Sequence, residues 1–243
     1  SNKNITQHHY LGSVYYYLHF QYNGWFFFAC MGLFTDWLSK ILPDKKLPKA
    51  AFLSFAFACI PAYFLSVLWI PNSNWIYVLV VLASITQLIA WYLILRFLHQ
   101  NKTEIGQHLD SLSRILILFA GTALTIKLLL QAGSVIPELS KLAFGFRTIV
   151  IAYLHLVLLG VISVFLLWFI YTNNLIQNNK LVIKGIIIFI VGIFLNEMVL
   201  LIQGLASFSY TIIPYADVSL IFISALMLSG LVLLLVGNLK SVK

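Results

Sequence analysis

The sequence predicts an all-α fold, a polytopic integral membrane helix bundle of seven transmembrane helices with its N-terminus outside and its C-terminus in the cytoplasm. Three observations predict it. Of 243 residues, 61% are hydrophobic and 9% charged, with a mean hydropathy of +0.97, whereas soluble domains run about 45–50% apolar and about 25% charged. Seven segments reach the length of about 20 mostly apolar residues that a crossing needs. The Lys and Arg residues between them lie mainly on one side. Such a composition excludes a water-soluble globule, a disordered chain, a nucleic-acid-binding protein and a disulfide scaffold. Cys30 and Cys59 both sit in apolar runs and read as buried thiols.

The spans fall near 13–38, 48–70, 75–98, 112–133, 142–171, 183–207 and 217–239. Backbone groups in hydrocarbon must bond within the segment, and runs this long exclude barrel strands, so each is a helix. Loop chemistry separates them: Pro43 to Pro48 with its charges, the Pro71-Asn72-Ser73-Asn74 turn, the polar stretch Gln100 to Asp110, and Asn173, Asn174, Asn178 and Asn179. No fixed-period repeat is evident, and residues 1–243 read as one transmembrane domain. Residue 1 is Ser and no basic-then-apolar leader precedes the first span. The chain is accordingly read as processed or as the C-terminal part of something longer.

Loops one, three and five with the C-terminus hold Lys40, Lys45, Lys46, Lys49, Arg96, Lys102, Arg114, Lys180, Lys184, Lys240 and Lys243, while the opposite side holds Lys3 and Lys141. Eleven against two gives the orientation by the positive-inside rule. It also explains most of the net charge of +8 without an acidic partner. Trp69 and Trp75 then mark the outer interface and Trp37 the inner one, as an aromatic belt does. The expected location is the bacterial inner membrane, with the lipid bilayer as the immediate partner.

Ionisable side chains inside a span are costly and mark functional or paired sites. His19, Lys127, His155 and Glu197 qualify, with Arg147 at the edge of span five. At about 1.5 Å per residue, His19 lies roughly 10 Å below the outer end of its span and His155 about 12 Å below Arg147. Lys127 lies at a depth similar to that of His19, and Glu197 nearer the midplane. Four spans thus bring polar groups to the outer half independently.

In span one, Tyr15, Tyr16, His19, Tyr22 and Asn23 recur at three- and four-residue spacing and form one stripe, with Gly24 allowing close approach. Its two readings are hydrogen bonding between helices and the wall of a ligand site. In span five, Arg147 stands a little over two turns before His155 and offset by about 80°. A histidine with an arginine above it suits a haem iron below and a propionate above, against core packing and snorkelling as the plainer readings. Lys127 and Gln131 lie one turn apart in span four, above Ala120 and Ala123, and span six carries Asn196-Glu197. Pairing Lys127 with Glu197 would relieve the cost of burying each. His8, His9, His99 and His108 read as solvated. No nucleotide-binding loop, zinc-protease helix or nucleophile elbow occurs, and the last span has no lysine for a retinal Schiff base.

This order of features resembles the haem-copper oxidase subunit I superfamily and the related haem-containing NnrS membrane proteins. Those oxidases have twelve spans, and seven helices beginning outside resemble their last seven. On that register His19 falls on the sixth helix and His155 on the tenth, and the run from His155 to Gly160 is similar to the tenth helix. Tyr153 stands where the family has a second histidine, and no histidine pair follows span two. The resemblance therefore implies haem b, with His19 and His155 as ligands and Arg147 as propionate partner, rather than a complete copper site. A copper or other metal ion on the two histidines is the alternative occupant. The implied activity is electron transfer or chemistry on a small gas, nitric oxide or oxygen, alongside an N-terminal helical portion or other membrane subunits. The rival readings are a transporter or channel component with a proton or solute path through Lys127, Glu197, Asn23 and Gln131, and a structural subunit of a membrane complex.

Overall fold

The computed structural model describes residues 2–68 and 73–240, with side chains at all of these except 2–8, 142–144 and 240. Trp69, Pro71, Asn72 and Lys243 lie outside the described residues, as do the side chains of Lys3, His8 and Lys240. Every regular element among the described residues is helical. In chain order these are α1 (Asn2–His19), a π-helical stretch Phe20–Phe26, α2 (Phe27–Ile41), α3 (Lys49–Ala62) with a 3₁₀ tail Tyr63–Val67, α4 (Asn74–Gln100), the short α5 (Lys102–Gln107) and α6 (Ser111–Gly133). There follow α7 (Pro137–Gly145), α8 (Arg147–His155), a second π-helical stretch Leu156–Ser163, α9 (Val164–Thr172), α10 (Lys180–Phe208) and α11 (Ala216–Lys240).

Among the described residues six helices are long and apolar enough to cross a membrane: Lys49–Val67, Asn74–Gln100, Ser111–Gly133, Arg147–Thr172, Lys180–Phe208 and Ala216–Leu239. They match spans two to seven of the sequence reading. The helix built from α1, its π-stretch and α2 is continuous but is not one of the six, because tyrosines, Gln21, His19 and Asn23 dilute its apolar content. Span five is shorter than expected. Phe146 is extended (φ −116°, ψ 114°) and separates α7 from α8, so the crossing helix begins at Arg147 and not near residue 142.

The chain parts into two compact units, one of Ser1–Asp110 with Leu124–Phe144 and one of Ser111–Ala123 with Gly145–Lys243. In the first, Ala58, Ala62, Leu65, Val80 and Ala83 form a buried cluster between α3 and α4, with Ile76 and Val135 packed against it. Small residues let two helices in lipid approach closely enough for dispersion to hold them. At the polar ends, Lys45 pairs with Glu104 and Lys40 with Asp36 at 2.6 Å.

In the second unit the closest approach is between α10 and α11. A Cβ on Gly185 would stand 2.6 Å from the Gly230 carbonyl oxygen, and one on Gly230 would stand 2.8 Å from the Phe189 nitrogen. Only glycine fits at either place. Asn179 secures one end of this hairpin: its Oδ1 accepts from the Leu181 and Val182 N–H groups at 3.0 Å, and its Nδ2 donates to the Gly237 carbonyl at 2.9 Å. The turn before α10 closes through Asn174 at φ 54°, a conformation asparagine tolerates. Replacing Gly230 with Val must push the backbones apart, and overpacking costs about 1–3 kcal/mol or more. The expected outcome is a lowered melting temperature in detergent, read by size-exclusion thermal stability. Ser229→Ala, one residue away and exposed, is expected to leave it unchanged.

Candidate functional site

The residues marked by the sequence fall into two sets, one in each unit. In the first unit His19 is the last residue of α1, and the helix widens to π immediately after it. Its ring is almost completely buried, at 1% exposure. Nε2 lies 2.9 Å from the Cys59 carbonyl oxygen, and a carbonyl only accepts, so Nε2 carries the proton. Nδ1 is then the acceptor, and Asn23 Nδ2 donates to it at 3.2 Å.

The Cys59 carbonyl is available for a physical reason. An α-helix would bond it to the Tyr63 N–H, but there α3 tightens to 3₁₀ geometry and that N–H turns to the Ile60 oxygen. Pro61, which has no N–H, sits in the same turn. His19 gives its Nε2–H to this oxygen in place of the Tyr63 N–H. The expected stripe is only partly kept. Tyr22 is buried with His19, while Tyr16 is largely exposed and meets Tyr63 edge-on with ring centroids 5.4 Å apart.

Lys127 and Gln131 lie in the same unit. Lys127, 5% exposed, donates from Nζ to Gln131 Oε1 at 2.6 Å, and Gln131 Nε2 donates to Gln87 Oε1 at 2.7 Å. Ser84, one turn before Gln87, is also buried. This is a one-way donor chain. The ion pairs found among the described residues are the two at the polar ends, Lys40–Asp36 and Lys45–Glu104. Glu197, in the second unit, accepts from its neighbour Asn196 at 3.4 Å.

In the second unit, Arg147 opens α8 and is exposed, and His155 ends it. Here the ring is held the opposite way. Nδ1 lies 2.9 Å from the Ile151 carbonyl oxygen, one turn back, so the proton is on Nδ1. Among the described residues Nε2 has no hydrogen-bond partner. An Nδ1–H anchored to a carbonyl with a bare Nε2 is the arrangement by which a histidine presents itself to a metal. Of the two expected ligands, His155 therefore fits an iron or other metal ion. His19 has both nitrogens engaged and would have to give up a bond. No group of three or more His, Cys, Asp or Glu side chains gathers among the described residues.

Gln87, Ser84 and the Cys59 carbonyl were not marked by the sequence reading. Gln87 and Ser84 carried a signal, as polar residues three apart in an apolar helix, whereas the carbonyl depends on a helix transition with no sequence mark of its own. A further feature was legible but passed over. Tyr17-Leu18-His19 with Gly24 and Tyr153-Leu154-His155 with Gly160 are the same pattern, Tyr-Leu-His followed by Gly five places after the His. Each histidine stands at the entry to a π-helical stretch, and each glycine lies inside it. Comparisons with known proteins return no match: no family model fits the sequence, and no curated protein or solved structure resembles it.

Gln131 is the centre of the donor chain, so Gln131→Leu strands the Lys127 Nζ and the Gln87 oxygen together. A buried polar group without its partner costs about 1–3 kcal/mol. A loss of that size in chemical or thermal unfolding is the expected outcome. Removing Lys127 as well (Lys127→Met) is expected to recover part of it in a double-mutant cycle.

Proposed function

We propose that this chain is an inner-membrane protein that crosses the bilayer seven times and holds a haem b through His155, in the service of electron transfer or small-gas chemistry. The observation that carries this reading is the bare Nε2 of His155, with Nδ1–H anchored on Ile151. A nitrogen lone pair in hydrocarbon without a partner is a cost, and an iron centre removes it. Arg147, exposed two turns nearer the helix start, is the residue for a propionate, since guanidinium matches carboxylate geometry. The bound group would supply an iron atom that exchanges an electron or takes a diatomic gas. The protein's part is to hold that iron on one oriented imidazole and to keep water away with the leucines around it. His19 serves the fold in this reading, as the cap on the Cys59 carbonyl. Purified from its native membrane, the protein is expected to show a Soret band that His155→Ala abolishes and His19→Ala leaves in place. A folded wild-type protein without any such band removes the reading.

The Lys127–Gln131–Gln87 chain favours a second reading, a proton or small-solute path. Buried amides and an amine in line are the parts a relay uses. Proton flux into vesicles reconstituted with the full chain, followed with a pH-sensitive dye, is then expected to fall at least tenfold in Lys127→Met. On either reading the first helix, α1 to α2, is the seventh crossing, with α1 entering from outside. Single cysteines at Ser73 and Lys45, in a protein with Cys30 and Cys59 changed to Ser, test this. An impermeant thiol reagent added outside is expected to label position 73 and not position 45.

A further inference from the structure

A groove of about 410 Å³ opens between α2 and α3, with Ile94 of α4 in its wall. All of its lining belongs to the first unit. Its apolar end is made of rings that reach from one helix to the other. Phe27 meets Phe55 with centroids 4.8 Å apart, and Phe28 meets Phe52 edge-on at 5.8 Å. Gly32, in the interior of α2, also lines the groove. Glycine is a poor helix former, and at Gly185 and Gly230 a close backbone approach accounts for it. No such approach accounts for Gly32, because a Cβ built there meets no atom within 4 Å. Its missing side chain is open space in the groove wall.

The other end is polar and lies at the start of a crossing helix. Lys49, Asp36, Thr35 and Ser39 line it, and Lys49 is the first residue of the span Lys49–Val67. Three of these four side chains are already engaged. Asp36 is held by Lys40 at 2.6 Å, and the hydroxyls of Thr35 and Ser39 donate to the Met31 and Asp36 carbonyls at 2.7 and 2.8 Å. Lys49 has no ion-pair or hydrogen-bond partner among the described residues. In the loop before it, Lys45 is held by Glu104, while Lys46 and Asp44 offset each other in charge. The groove thus ends on one uncompensated ammonium.

From Ser39 to Phe27 the α2 wall runs about 18 Å, and from Lys49 to Phe55 the α3 wall runs about 9 Å. One leaflet supplies half of a hydrocarbon core about 30 Å thick. The groove therefore starts at headgroup level and reaches well into the same leaflet. A water-soluble anion gains nothing from the phenylalanines, and a zwitterionic headgroup brings a second cation towards Lys49. An apolar body with a lone cation at its mouth matches an acyl chain whose headgroup is anionic. We propose that this groove is a site for one chain of an anionic phospholipid, with Phe27, Phe28, Phe52 and Phe55 around the chain, Gly32 leaving room for it, and Lys49 binding the phosphate. The inference needs α2 in the bilayer, as the seven-crossing reading has it, but neither a haem nor a direction of insertion.

The full chain in detergent is titrated with phosphatidylglycerol and with phosphatidylcholine, and retained lipid is counted by native mass spectrometry. The wild-type protein is expected to retain one phosphatidylglycerol about fivefold more tightly than phosphatidylcholine, the effect of one lysine beside an anionic headgroup. Gly32→Phe, whose Cβ enters open space, is expected to abolish that retention. Gly133→Phe, at another helical glycine with open space beside it, is expected to keep it. Lys49→Gln is expected to bring the two lipids to equal affinity. Equal retention of both lipids by the wild type, retention by a folded Gly32→Phe protein, or an unchanged preference in Lys49→Gln overturns the proposal. So does a dimer that Gly32→Phe dissociates with no lipid retained, which gives the groove to a second copy of the chain. Should Gly32→Phe not fold, phosphatidylglycerol with a photoreactive diazirine on its acyl chain reads the site in the wild type, in lipid nanodiscs. Adducts are expected on residues 27–36 and 51–55 above those on the other crossing helices. An even spread over all helices overturns the proposal while leaving α2 in the bilayer. Adducts on the other helices with none on α1 or α2 overturn it together with the seven-crossing reading.

Discussion

A main-chain oxygen without a partner cannot be left in hydrocarbon at low cost, and the first unit is arranged around one such oxygen. The α3 helix tightens at Tyr63, the Cys59 carbonyl loses its helical donor, and the imidazole of His19 takes that donor's place. The bond joins the end of α1 to the last turn of α3 and requires the proton on Nε2. It thereby makes an acceptor of Nδ1, which Asn23 then fills. One change of helix type thus determines the state of a ring on another helix. The donor chain from Lys127 through Gln131 to Gln87 obeys the same rule, since each group gives its proton to an atom that can only accept.

The crossing helices were largely legible in the sequence because hydrophobic length is a local property. Six of the expected spans coincide with helices of sufficient length and apolarity. The boundary that moved, at Phe146, turns on one extended residue between two helical runs, and hydropathy averages over such a residue. The site was legible as a list of residues but not as a set of partners. Lys127 was marked by its charge and Gln131 by its spacing, but the third member, Gln87 on another helix, was not. His19 and His155 looked alike as lone polar residues in apolar helices, yet one is saturated and the other open. What separates them is chiefly the Cys59 carbonyl, a partner with no side chain to announce it.

The second unit carries its polar groups more openly. Arg147 is exposed and His155 is half-buried with one nitrogen bare. In the first unit Lys127, Gln131 and His19 are all buried, with their hydrogen bonds made to protein atoms.

The seam between α10 and α11 has a thermal consequence. Gly185 and Gly230 bring the two backbones into contact with no side chain between them. In a water-soluble core much of the attraction would come from apolar surface leaving water, a force that weakens on cooling. Two helices already in lipid gain little from that source, and their attraction is van der Waals contact. Such contact has no comparable dependence on the hydration of apolar groups. This hairpin should therefore hold its shape as the temperature drops toward freezing, when the surrounding lipid stiffens and soluble domains of similar size lose part of their margin.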